Sequence, residues 1–222
     1  MAFKTALAYL PMRVFDLSHP IQPGMPLFPG TPQPRLEPLA SLEGEGYAER
    51  WLALASHTGT HIDAPAHLLP GGKGLDGFPA GHFIGPGWRL PVQGPLIRLE
   101  DLLPFATRLR SVRFVLLHTG WDTRWGAPDY FTGFPVLTEE AAAWLATFEL
   151  AGLGIDAPSL DPVESQALPN HRTFLTRNTC LIENLRGLQA LGEECFTFSC
   201  LPLPFPEADG CPVRAVAMRP AP

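Results

Sequence analysis

Ser56-His57-Thr58-Gly59-Thr60-His61-Ile62-Asp63-Ala64-Pro65-Ala66-His67 places three of the chain's seven histidines within eleven residues, with an aspartate among them. Gly59 and Pro65 argue against a regular helix through its middle, so the stretch is expected to run extended. Residues two apart on an extended chain face the same way. His57, Gly59, His61 and Asp63 would then line one face, with Ile62 on the other. Imidazole nitrogen and carboxylate oxygen suit zinc, manganese and iron alike, and a carboxylate can bridge two ions. Gly59 would let the backbone bend closely around an ion. His67 lies beyond a proline and outside this register, where an imidazole with a pKa of about 6.5 suits proton transfer. The helical H-E-x-x-H pattern of zincin proteases is absent.

Working outward, residues 49–56 alternate as a strand that delivers the chain into the histidine-rich stretch, and residues 13–18 read as another. The Pro/Gly-rich segment 20–38 cannot be helical. Residues 88–99 read as a strand interrupted at Pro91 and Pro95. Residues 112–119, Val-Arg-Phe-Val-Leu-Leu-His-Thr, form the clearest buried strand. The strongest helix spans 139–150, with Thr138 as N-cap, Glu139 and Glu140 at the positive end of the dipole, and Gly152 as the stop. A strand over 153–156 follows, then a helix capped by Asn170 and running to 177. Strands over 180–183, 195–201 and 213–218 end the chain. Strands outnumber helices, which places the fold in the mixed α/β class. No repeat or linker divides it.

The 222 residues are 45% hydrophobic and 17% charged, which supports a real core and excludes disorder. The net charge of -6, with no run of Lys or Arg, argues against nucleic-acid and anionic-membrane partners. No segment approaches the roughly 20 apolar residues of a membrane helix. The apolar stretch around Lys4 is too short for a secretion signal and ends at Pro11, so a cytoplasmic protein is expected. The 26 prolines are about twice the usual share and point to short strands joined by ordered loops. Cys180, Cys195, Cys200 and Cys211 form no C-x-x-C pair and are expected as reduced thiols in or near the core.

His57 to His67 resembles the H-x-G-T-H-x-D-x-P-x-H signature of the cyclase-like metal-dependent hydrolase family, which includes bacterial kynurenine formamidases and isatin hydrolases. Asp16-Leu17-Ser18-His19-Pro20-Ile21 and Met25-Pro26-Leu27-Phe28-Pro29-Gly30 are similar to the family's opening strand and the loop after it. The likeness continues through Gly154-Ile155-Asp156-Ala157-Pro158-Ser159, Asp161-Pro162 and Leu181-Ile182-Glu183-Asn184-Leu185. It ends in Leu201-Pro202-Leu203-Pro204 and Pro212-Val213-Arg214-Ala215, and so spans about residues 13–218.

The resemblance implies a single domain of the swivelling β/β/α type over residues 13–222, with mixed sheets and a few helices. Residues 1–12 would be an N-terminal arm or an extension from a mis-assigned start. It implies two divalent ions per chain, zinc first and manganese as the alternative. His57, His61 and Asp63 would hold one ion, and Asp63 would bridge to a second held by His171 and Glu183. His67 would be the acid/base, and the protein a homodimer or tetramer. Phe28 stands where kynurenine formamidases typically carry a tryptophan that helps hold the substrate's aryl ring. Phenylalanine keeps the apolar face but loses area and the indole N–H.

The activity implied is that of an arylformamidase of tryptophan catabolism, acting on a small aromatic amide. A metal brings the pKa of a bound water from about 15.7 to about 7. The metal-bound hydroxide would attack the formyl carbon of N-formylkynurenine, giving kynurenine and formate. The alternatives are hydrolysis of another amide or an isatin-like lactam, a non-hydrolytic cyclase or dehydratase, and a metal-binding protein without turnover. Trp121 is a further candidate pocket wall, while His19, His82 and His118 are read as structural.

Overall fold

Phe114, Val115, Leu116 and Leu117 are each no more than 1% exposed, and they alternate between two hydrophobic clusters. Val115 and Leu117 join one cluster with Leu153, Leu181 and Phe174, while Phe114 and Leu116 join the other with Ile62, Ile182 and Phe198. A strand buried on both faces needs a covering layer on each side, which explains its nearly continuous apolar sequence. Each such buried side chain contributes about 1.5–3 kcal/mol relative to exposure.

The structure is a computed structural model and describes residues 11–221. Its strands in chain order are β1 (Met12–Asp16), β2 (Arg35–Ala40), β3 (Glu49–Ala53), β4 (His61–Asp63), β5 (Ile84–Pro91), β6 (Leu96–Ile97) and β7 (Phe114–His118). They continue as β8 (Val136–Leu137), β9 (Gly152–Ile155), β10 (Cys180–Glu183), β11 (Phe196–Ser199), β12 (Gly210–Pro212) and β13 (Val216–Pro220). Nine of them form one sheet in the order β1-β13-β11-β5-β7-β9-β10-β4-β12. Its centre, β5-β7-β9-β10, is parallel, and antiparallel strands flank it on both sides. The expected mixed α/β architecture is therefore present. β2 and β3 pair as a separate antiparallel ribbon, and β6 pairs with β8. The proposed N-terminal arm lies almost wholly outside the described residues. No helix among those described is long and apolar enough to cross a membrane.

The helices are α1 (Leu99–Leu102), α2 (Ala106–Leu109), α3 (Glu139–Leu145) and α4 (Pro169–Leu175). Thr138 caps α3 as expected, its Oγ1 accepting from the Ala141 amide at 3.2 Å. The helix nevertheless ends at Leu145, five residues short of the expectation. Arg177 Nη1 binds the Ala146 carbonyl at 2.7 Å and Thr147 Oγ1 binds that of Trp144 at 2.7 Å, satisfying exposed acceptors early. Gly152 is not the stop signal. It opens β9, where a Cβ would lie 2.8 Å from Ile182 Cδ1 and 2.9 Å from Phe114 Cε1. Neighbouring strands pack over that position, and only glycine leaves room.

Asn170 does not cap α4 either. Leu168, at φ 46° and ψ 56°, holds the N-cap position, and Pro169 takes the first turn, where its missing N–H costs nothing. The Asn170 side chain instead donates to the Leu137 and Leu160 carbonyls, tying α4 to its surroundings.

Candidate metal centre

Two strands bring the central residues together. β4 and β10 pair antiparallel with His61 opposite Glu183 and Asp63 opposite Leu181. His61 and Asp63 share one face of β4, while Ile62 is buried in the opposite core, as the alternation predicts. The extended run is shorter than expected, however. Residues 57–60 turn rather than extend, and Gly59 sits at φ 64°. That turn folds His57 back so that its Nδ1 lies 2.7 Å from Asp63 Oδ1. The short helical turn Pro65–His67 then sets the His67 ring 4.1 Å from that of His57.

α4 supplies His171 from the far side. Its Nε2 lies 3.1 Å from Glu183 Oε1 and 3.9 Å from Asp63 Oδ2. His61 Nε2 lies 3.3 Å from Asp63 Oδ1 and 3.5 Å from Glu183 Oε2. All five sequence-predicted ligands therefore converge, in the groups His57–His61–Asp63 and Asp63–His171–Glu183. Asp63 belongs to both, with one oxygen turned toward each.

The donor set fits divalent ions. His61 Nδ1 donates to the Gly59 carbonyl at 2.8 Å, and His171 Nδ1 donates to Asp161 at 2.7 Å. Each bond occupies the far nitrogen, so the neutral ring turns the Nε2 lone pair inward. Glu183 Oε1 is buried and accepts no hydrogen bond. Lone pairs from two imidazoles and two buried carboxylates thus face one small volume, which calls for positive charge.

The same crowding governs proton affinities. Burial pushes His171 down, but the Asp161 hydrogen bond and the Glu183 and Asp63 charges outweigh it and lift the ring to about 10. Burial also opposes charge on His57, which Asp63 and Asp209 nonetheless raise to about 9. Asp63, despite burial, is held well below the usual carboxylate range by His61 and His57. Divalent ions would take over the role of these protons, so binding would release them. His67 behaves differently: burial lowers it, the Asp63 charge opposes this, and the His57 and His171 charges lower it again, leaving it below the ordinary imidazole value.

A cavity of about 310 Å³ opens onto these groups. Phe28, Phe131, Pro26, Pro158 and Leu168 form its apolar walls, and His67 lines it beside His57, His61, Asp63, His171 and Glu183. Phe28 and Phe131 meet edge to face with centroids 6.1 Å apart. Trp121 is not among the lining residues. It packs on the core that holds Phe134, and its indole N–H donates to the Tyr130 carbonyl. His19 stacks on Trp125 at 3.8 Å, His82 on Phe78, and His118 accepts from Arg89, so all three lie outside the cluster. Cys180, Cys200 and Cys211 are buried free thiols, whereas Cys195 is exposed.

Asp209 escaped the sequence reading. Its Oδ2 lies 3.0 Å from His57 Nε2 and 4.0 Å from His67 Nδ1. A lone acid in a loop far along the chain carries no spacing signal. The adjacent Gly210 lets β12 approach the site closely, because a Cβ there would lie 2.5 Å from His57 Cε1. Asn184 and Tyr130 were missed as well, since their contacts to the cluster are entirely tertiary.

The family model described as "Putative cyclase" matches residues 15–162. The kynurenine formamidase of Bordetella avium (strain 197N) is 32% identical over 215 residues, covering 92% of this chain and 97% of that protein. That of Geobacillus thermodenitrificans (strain NG80-2) is 31% identical, covering 90% and 94%. Isatin hydrolase A from Labrenzia aggregata, bound to benzyl benzoate, superposes with a TM-score of 0.84 at 23% identity, over 95% of this chain and 94% of that one. A "predicted metal-dependent hydrolase" from Bacillus stearothermophilus gives 0.77 at 27% identity, over 94% and 98%.

Proposed function

The chain belongs to the cyclase family and is a kynurenine formamidase-like metal-dependent hydrolase, and we propose that it hydrolyses N-formylkynurenine to kynurenine and formate. The observation that carries this reading is the meeting of His57, His61, Asp63, His171 and Glu183 at the floor of a cavity walled by Phe28 and Phe131. Two divalent ions sharing Asp63 suit this donor set, zinc first and manganese as the alternative. They would supply Lewis acidity, which polarises a carbonyl and brings water ionisation near neutral pH.

This chain's own residues do the rest. The two phenylalanines hold the aryl ring so that the formyl group reaches the polar floor. Half-buried and neutral, His67 takes the proton that water loses on attack and returns it to the departing nitrogen. Water thereby adds its hydroxyl to the formyl carbon, the C–N bond breaks, and the amine leaves protonated. Asp209, beside both His57 and His67, keeps negative charge near the proton path.

Phe28 favours a second reading, in which another amide or an isatin-like lactam fills the cavity, because its ring covers less of a large aryl substrate than tryptophan would. The domain is proposed as one swivelling β/β/α unit over residues 13–222. Exposed Leu39, Trp51 and Leu52 on the β2–β3 ribbon, with Leu42 in the turn between the two strands, support self-association into a homodimer.

The test is turnover of N-formylkynurenine by chelated protein after separate addition of zinc and manganese. Metal-dependent release of kynurenine is expected. Two bound ions per chain without turnover would exclude this substrate in favour of the lactam class.

A further inference from the structure

Tyr130 is 1% exposed, and its hydroxyl donates to Asn184 Oδ1 at 2.8 Å. Asn184 Nδ2 in turn donates to the Gly59 carbonyl at 3.1 Å. That same carbonyl accepts from His61 Nδ1 at 2.8 Å. The direction of every bond in this series follows from one atom. The Gly59 oxygen can only accept, so both His61 Nδ1 and Asn184 must present N–H to it. With its amide thus turned, Asn184 offers Oδ1 to Tyr130, whose hydroxyl must donate.

Backbone geometry supports the same series. Asn184 directly follows Glu183 and adopts φ 54°, a left-handed conformation that asparagine tolerates better than most residues. Its own carbonyl accepts from Thr60 Oγ1 at 2.6 Å, so residues 59–61 are pinned to residues 183–184 from both sides. On the outer side, Tyr130 packs edge-on against Trp125 at 5.1 Å, and Trp125 stacks on His19. Its chain neighbour Phe131 is a cavity wall. One loop therefore presents an aromatic surface to the cavity and reaches the cluster through a single hydroxyl.

We propose that Tyr130 and Asn184 are positioning residues for the metal centre: the Tyr130 hydroxyl locks the Asn184 amide, which aims the Gly59 carbonyl and so holds His61 with Nε2 turned toward the ion. The proposal rests on His61 being a ligand. It also couples the loop carrying Phe131 to the metal centre, so disorder in that wall loosens the ligand geometry.

Zinc affinity of metal-stripped protein, measured by competition with a chromophoric chelator, tests it. Tyr130→Phe keeps the ring and its contact with Trp125 and removes only the donor. Affinity is expected to fall about five- to tenfold, at or below the scale of losing a ligand's own outer partner because His61 keeps its bond to Gly59. The melting temperature of the stripped protein falls by only the few degrees that one unmade buried hydrogen bond costs. Asn184→Gly tolerates the same backbone conformation and should weaken binding similarly. In that background Tyr130→Phe should add less than about twofold, because the hydroxyl no longer connects to Gly59. Unchanged affinity in Tyr130→Phe, or fully additive losses, would overturn the proposal while leaving the ligand assignment intact. Failure of wild-type protein to bind zinc or manganese would overturn both.

Discussion

Asp161 Oδ2 lies 2.7 Å from His171 Nδ1 and accepts the His171 backbone amide at 3.0 Å. The other oxygen of the same carboxylate accepts the Asn170 amide at 3.0 Å. One side chain thus closes the start of α4 and selects the tautomer of His171.

Asp161→Asn should disturb both roles. Loss of the charge-assisted partner is expected to weaken divalent-ion binding about 10–100-fold. Loss of one of the two oxygens that accept the α4 amides is expected to lower stability by about 1 kcal/mol. Metal titration and urea denaturation read the two effects separately, and wild-type affinity in this variant would remove Asp161 from the site.

His67→Ala is expected to abolish turnover and leave bound metal near the wild-type amount. Elemental analysis beside steady-state kinetics checks this. Full activity would end the acid/base assignment, whereas lost metal would make His67 a ligand.

Gly210→Ala probes how closely β12 approaches the site. The new methyl would collide with the His57 ring, which is flanked by Asp63 and Asp209 and has little freedom to move. Overpacking of this kind costs about 1–3 kcal/mol. Weaker metal binding should accompany it, and a crystal structure of the variant should show the imidazole displaced.

His19 gives the protein an acid-sensitive element away from the cluster. Burial, with the Arg186 charge adding to it, depresses this imidazole to about 4. Its buried Nε2 has no hydrogen-bond partner, so a proton placed there would be unsatisfied. The folded pKa lies below the unfolded value of about 6.5, so the unfolded chain binds the proton first as pH falls. The stabilisation is present above about pH 6.5 and is lost down to about pH 4, at most on the order of 3 kcal/mol. His19→Phe, which preserves a ring on Trp125, should flatten the urea midpoint over that window. Parallel curves for the two proteins would refute it.

The parts of this molecule written in local pattern were readable. Phe114–His118 announces its burial by composition, and His57, His61 and Asp63 announce by type and spacing the cluster of potential metal-binding groups in which they meet. His171 and Glu183 carry no such signal alone and were reached only through resemblance. Helix ends were misjudged where distant groups decide them: Arg177 helps finish α3, and Asp161 begins α4. Gly152 was read as punctuation because a glycine forced by crossing side chains looks, in one dimension, like a glycine that ends a helix. Asp209 could not be found at all, since its partners lie about 150 residues away in the chain.

The pairing of His61 with Glu183 joins parts of the chain that emerge far apart during synthesis. These residues join strands about 120 positions apart, and slippage by one residue would turn the facing side chains to opposite sides of the sheet. Such long-range pairing forms slowly and late. The emerging polypeptide carries His57, His61 and Asp63 well before β10 exists, so early capture of an ion there would occur without the partner that closes the site. Metal retained by a variant whose proposed ligands and their hydrogen-bond partners are unchanged would then report that the sheet has completed in its proper register.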